Sequence, residues 1–251
     1  MAVKQTESLS DETVRRSNKA SWAEPVDRLT LTDPTSGGVA ATVVGRRVAG
    51  PLQGFGQMWQ KTFRVRIIGD PDLSPEQVVA TWKREFPTFW PKGNTFYAPL
   101  AGIRPGEVAL LSGSVGPVKM HTGVLVLYSD EEAFTLMTPE GHMLAAWITF
   151  SAFRATDGTV VAQAQALERA SDPLFELGLV LGGHRMNTRF WAATLGNVAV
   201  RFGSTPDVET EVVCVDKRRQ WRHVGNVRHN AGVRSMLYLA GAPVRWVRRR
   251  P

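Results

Sequence analysis

His142 follows Glu140 by two residues in TPEGHMLAAWITFSAF, Thr138 to Phe153, at the mouth of an apolar run. A histidine and a carboxylate share acid–base work when one orients the other and a substrate lies within hydrogen-bond reach. Here Pro139, Glu140 and Gly141 carry turn chemistry, so His142 reads as the first residue of a strand at the rim of a sheet. His121, in KMHTGVLVLYS, has the same kind of place. His184 differs: it follows two glycines inside a helical segment and precedes Arg185. Facing inward it would carry a polar group into a pocket; facing outward it would meet solvent.

Other chemistries find no support. Cys214, His223 and His229 have gaps that match no zinc pattern, so no metal is expected. Neither G-x-S-x-G nor H-E-x-x-H occurs. The glycines of DPTSGGVAATVVGRRVAGPLQGFGQ, Asp33 to Gln57, form neither a dinucleotide fingerprint nor a phosphate loop, and no cofactor is implied. Asp130, Glu131 and Glu132 read as a solvated turn. The aromatics say more. Trp82, Phe86, Phe89 and Trp90 cluster in WKREFPTFW; the first two suit a core, whereas Phe89 and Trp90 lie outside the helix among prolines and suit a wall or lid.

The elements that must position these residues follow from periodicity. In MWQKTFRVRII, Met58 to Ile68, the residues Trp59, Lys61, Phe63, Val65 and Ile67 alternate with a more polar set, which predicts a strand. LSPEQVVATWKREF predicts a helix, with Ser74 as cap, Pro75 in the first turn, and Val78, Val79, Trp82 and Phe86 as its buried stripe. Six short apolar runs follow: FYAPL, EVALLSGSV, TGVLVLYS, EAFTLMT, HMLAAWITFSAF and TVVAQAQALERA. Turn residues link them and leave no room for crossover helices, so the sheet is antiparallel. From Asp172-Pro173 to Phe202 a helical pattern runs on to Gly203; 30 residues would span roughly 45 Å. Gly178, Gly182 and Gly183 interrupt it, so either something approaches closely there or space is left open.

Two strands have faces of unusual composition. In VVAQAQALERA, Ala162, Ala164 and Ala166 oppose Gln163 and Gln165, so the interior gains either room or hydrogen-bonding groups. In HMLAAWITFSAF both faces are apolar: Met143, Ala145, Trp147, Thr149 and Phe153 on one, Leu144, Ala146, Ile148, Phe150 and Ala152 on the other. A strand with one wet face alternates. The N-terminal arm, the C-terminal extension or a second subunit of a homo-oligomer is therefore expected over the second face.

The order strand, helix, six short strands, long helix resembles the helix-grip fold of the START-like or SRPBCC superfamily, from Met58 to Gly203. FPTFWPKGNTFYAPL and TPEGHMLAAWITFSAF look similar to a bacterial branch of it. The resemblance implies an α+β domain, a curved antiparallel sheet around a long C-terminal helix, with a cavity between them for an apolar or amphipathic small molecule. Its pocket or lid candidates are Phe89, Trp90, Trp147, Gln163, Gln165 and His184. It also implies an alternative, a polyketide cyclase or aromatase, since such enzymes need a shaped cavity and few polar groups.

Around that domain lie an arm, residues 1–57, expected to be flexible, and an extension, residues 204–251. The extension holds ten Lys or Arg against four Asp or Glu, while the rest of the chain is nearly balanced. An even body argues against a nucleic-acid groove. In the extension Val233, Met236, Leu237, Ala240, Val244 and Val247 share a helical face flanked by arginines, which suits an anionic membrane surface or docking on the body. A membrane-recruited module without ligand is thus a third reading. With one cysteine and no signal-like opening, the expected place is the cytoplasm or its membrane face.

Overall fold

A computed structural model describes residues 19–31, 42–69, 72–115 and 118–231. The apolar stripe expected between Val233 and Val247 lies outside them.

Eight strands form one antiparallel sheet: β1 (Met58–Ile67), β2 (Thr95–Tyr97), β3 (Val108–Val115), β4 (Val118–Ser129), β5 (Ala133–Met137), β6 (Leu144–Arg154), β7 (Val160–Ala170) and β8 (Val208–Asp216). Their order is β2-β3-β4-β5-β6-β7-β1-β8. Consecutive hairpins build β2 to β7, and β1 then closes on β7 with Phe63 opposite Ala164. β8 was not foreseen. The segment VETEVVCVD was read by its charge balance as part of the extension, yet it pairs with β1, Thr210 opposite Phe63.

The helix α1 (Pro75–Glu85) begins as its residues dictate, with a capping box between Ser74 and Gln77. Its aromatic stripe packs on the concave face of the sheet. Phe86 meets Phe96, Phe134 and Phe150 at ring-centre distances of 4.7, 5.3 and 5.1 Å, and Trp82 meets Phe150 at 5.2 Å. The far helix is not the single rod expected. Asp172 caps α2 (Pro173–Gly178) as predicted, a wide turn occupies Leu179–Gly183, and α3 (His184–Arg201) follows. Gly182 has φ 124° and Leu181 has ψ 15°, both outside helical geometry, so the chain bends there. α3 then crosses the concave face, burying Leu195, Val198 and Ala199. Sheet and helix together form the helix-grip architecture.

The convex face carries the arm. Leu29 and Val43 are buried against Val108, Leu110 and Leu125. Phe55 N–H and Gly56 N–H both donate to Ala170 O. Gly54 lies so near the sheet that a Cβ there would stand 2.7 Å from Arg169 Cβ and 3.0 Å from Ala145 Cβ. Arg169 ties three segments at once, donating to Gly56 O and Arg218 O and pairing with Asp216 at 2.6 Å. On β6 the Leu144–Ile148 face is the inner one, set in apolar clusters under the helices. The opposite face is covered in part: Ala145 is buried beneath Gly54, while Trp147, beside Gly50, and Phe153 stay over a third exposed.

Candidate functional site

The aromatic core fills one half of the concave face, and the other half holds a cavity of about 300 Å³. That is at the small end of ligand pockets, roughly 300–1,000 Å³. Leu111, Met120, Thr122, Val124, Leu136, Ala146, Ile148 and Ala166 supply its sheet wall; Leu179, Gly183, Met186, Asn187, Phe190 and Trp191 its helical wall; Trp90 and Asn94 one end. Two local features leave the space. Ala146 and Ala166 take little of it, and the bend at Gly182 turns the chain before α3 crosses the sheet. Met186 lines the cavity and is half exposed, so the cavity reaches solvent beside the bend, where Val180 and Leu181 are also exposed.

Against this apolar wall stands one charged cluster. Lys61 and Glu168 occupy neighbouring strands β1 and β7, both side chains pointing inward, with relative exposures of 0% and 1%. Their nitrogen and Oε1 are 2.7 Å apart. Lys61 Nζ also donates to Asn187 Oδ1 on α3, at 2.7 Å. An ammonium only donates, so the oxygen of the Asn187 amide must face it and the NH₂ must point elsewhere. A buried ion pair stabilises little by itself, but breaking it leaves a bare charge in a low-dielectric interior. The arrangement therefore fixes two polar groups, Glu168 and Asn187, in the cavity wall.

Two histidines are held neutral nearby. His142 lines the cavity, and its Nδ1 lies 3.0 Å from both the N–H and the carbonyl oxygen of Leu144, which fix the ring against the start of β6. Burial pushes its pKa down to about 4. The turn that positions it is the expected one, with Gly141 at φ 88°. His184 packs against Trp59 with ring centres 5.0 Å apart and the ring planes tilted by 55°. Burial, helped by the Lys61 charge, lowers it to about 4 as well, and its Nδ1 is buried without a hydrogen-bond partner among the described residues. Among the described residues no three His, Cys, Asp or Glu side chains cluster as metal ligands.

The sequence candidates are distributed unevenly around this site. Trp90 lines the cavity and touches Phe190 at 5.0 Å. Phe89 is buried in the main core instead. Trp147 borders the cavity, but strand alternation turns its indole to the convex face, against Gly50. Gln163 accepts from Arg64 Nε at 2.8 Å, and Gln165 donates to Thr62 at 3.3 Å; both stand on the convex face, because Ala162, Ala164 and Ala166 face inward. His184 abuts the charged cluster through Trp59 and Lys61. The residues missed were Lys61, Glu168 and Asn187. A signal existed for two of them: Lys61 interrupts the apolar face of β1, and Glu168 the alanine face of β7.

No protein-family model matches this sequence, and no curated protein matches it. Among solved structures, part of the chain is similar to Ara h 8.0201, at 13% identity over 57% of this chain and 97% of that one, TM-score 0.40. It is also similar to a truncated norcoclaurine synthase from Thalictrum flavum, at 10% identity over 58% and 93%, TM-score 0.40. A third is the di-domain ARO/CYC StfQ from the steffimycin biosynthetic pathway, at 8% identity over 57% of this chain and 50% of that one, TM-score 0.39. Likeness at this level assigns no activity to the present chain.

Proposed function

We propose that this protein is a divergent member of the START-like superfamily and binds an apolar or amphipathic small molecule in the cavity between the sheet and α3. The observation that carries this is a space of about 300 Å³ lined chiefly by apolar side chains, with a few convergent polar groups, the usual design of a ligand site. Native mass spectrometry of gently purified protein, set against its denatured mass, tests the reading. A reproducible added mass that leaves on denaturation is the expected result. A bare mass from several expression hosts, together with no uptake of added apolar probes, would overturn it.

A second reading, a cyclase-like enzyme, draws support from one particular observation: the wall contains a carboxylate, Glu168, and a neutral histidine, His142, rather than apolar groups alone. A histidine whose pKa is lowered by burial, set in a cavity wall, is a feature of catalytic sites. Conversion of the extracted molecule on prolonged incubation would favour the enzyme; release unchanged would favour the carrier.

A further inference from the structure

We propose that the cavity selects a neutral molecule that carries a hydroxyl group on an apolar body, the hydroxyl being held between Glu168 and Asn187. This rests on the ligand-binding reading above and names the class of ligand. Glu168 is 1% exposed, yet it lines the cavity; its Oε1 is paired with the Lys61 ammonium at 2.7 Å, while its Oε2 receives no hydrogen bond among the described residues. Its carboxylate is an acceptor in search of a donor. Asn187 has given its oxygen to Lys61, and its NH₂ has no partner among the described residues. These two groups flank the same ammonium, so a carboxylate oxygen and the N–H donors of a partly buried amide are neighbours in one wall.

The charge balance and the hydrogen-bond count narrow what fits. Lys61 and Glu168 cancel, so the cluster is neutral as a unit. A carboxylate ligand would place a second negative charge beside Glu168, and an ammonium would leave an excess positive charge in a buried site; each is desolvated without a counter-ion. A hydroxyl donates once, to Glu168, and accepts once, from Asn187, so a single neutral group serves both partners. Most of the remaining wall, including Leu111, Val124, Leu136, Ile148 and Phe190, offers only hydrocarbon or aromatic surface, while Asn94, Ser112, Thr122, Thr138 and His142 add polar groups away from the ion pair.

The test uses the full chain, equilibrium dialysis at pH 7, and three probes on one skeleton: 2-naphthol, naphthalene and 2-naphthoate. We expect 2-naphthol to bind about tenfold more tightly than naphthalene and at least tenfold more tightly than 2-naphthoate. In Asn187→Leu, which keeps the ion pair, the ratio of naphthol to naphthalene affinity should fall toward one. Glu168→Gln should lower the same ratio; because it strips Lys61 of its counter-charge, it is read only if circular dichroism matches the parent. Equal affinities for naphthol and naphthalene, or a ratio that Asn187→Leu does not move, would overturn the proposal. Tightest binding of 2-naphthoate would also overturn it and make the Lys61 ammonium the recognising group. Binding of none of the three would instead remove the ligand-binding reading on which it stands.

Discussion

Lys61 sits on a strand face otherwise made of Trp59, Phe63, Val65 and Ile67, and only Glu168 and Asn187 make that position tolerable. Lys61→Met is expected to cost about 3–5 kcal/mol, because Glu168 is then buried without a counter-charge. The double change Lys61→Met with Glu168→Leu should recover most of that loss, since a well-packed apolar pair often replaces a buried ion pair at little cost. Urea unfolding of the four proteins in a double-mutant cycle checks this; equal losses in the single and double variants would refute it. His142 makes the second prediction at this scale. It protonates near pH 4 in the folded chain and near 6.5 when unfolded. Between those values the unfolded chain binds more protons, so stability is complete above about pH 6.5 and declines as the pH falls toward 4. On the order of 2–3 kcal/mol is at stake. In His142→Asn the slope of stability between pH 7 and 4.5 should flatten, measured by urea midpoints; an unchanged slope would place the titration elsewhere.

Among the elements, the broken helix is the one whose behaviour sets the cavity. Its glycines look alike in the sequence but do opposite things. Gly182 has φ 124°, and a Cβ there would meet nothing within 4 Å, so its role is backbone conformation alone. Gly182→Ala should therefore cost roughly 1–3 kcal/mol. Gly178 has helical angles, φ −60° and ψ −39°, and also has open space around it. Gly178→Ala should stabilise by about 0.4–1 kcal/mol through the unfolded chain. Thermal unfolding of both variants settles the matter, the expected shifts in Tm having opposite signs. Gly183 packs on Gly178 O and Leu179, a close approach that an added Cβ would disturb.

The whole molecule is more than a grip and its helix, because the arm packs on the convex face of the sheet and β8 joins its edge. Leu29 N–H donates to Arg46 O and Gly45 N–H donates to Leu29 O, which fastens the arm to itself where Leu29 and Val43 enter the convex core. In the parent protein trypsin should cleave slowly after Arg46 and Arg47. Leu29→Asp places a charge in that apolar site, releases the arm, and should make the same bonds rapidly cleaved while the helix-grip body persists. Limited proteolysis read by mass spectrometry distinguishes this from global unfolding, in which cleavage would spread through β3 to β7. No helix of the described residues is long and apolar enough to cross a membrane.

The sequence by itself determined the strands β1 to β7, the capped start of α1 and the antiparallel arrangement, because alternation, caps and turn residues are local properties of neighbouring positions. It also held a trace of the site, since Lys61 and Glu168 each stand on a face that otherwise reads as core. What it left undecided was which face of β7 points inward, and so Gln163 and Gln165 competed with the alanines on equal terms. Only tertiary structure paired Lys61 with Glu168 across 107 residues and brought Asn187 to them from α3, contacts that no local period encodes. The cavity, too, is a tertiary outcome. It exists where a bend at Gly182 and small residues at Ala146 and Ala166 meet, and each of these is unremarked until the sheet and the helix close on one another.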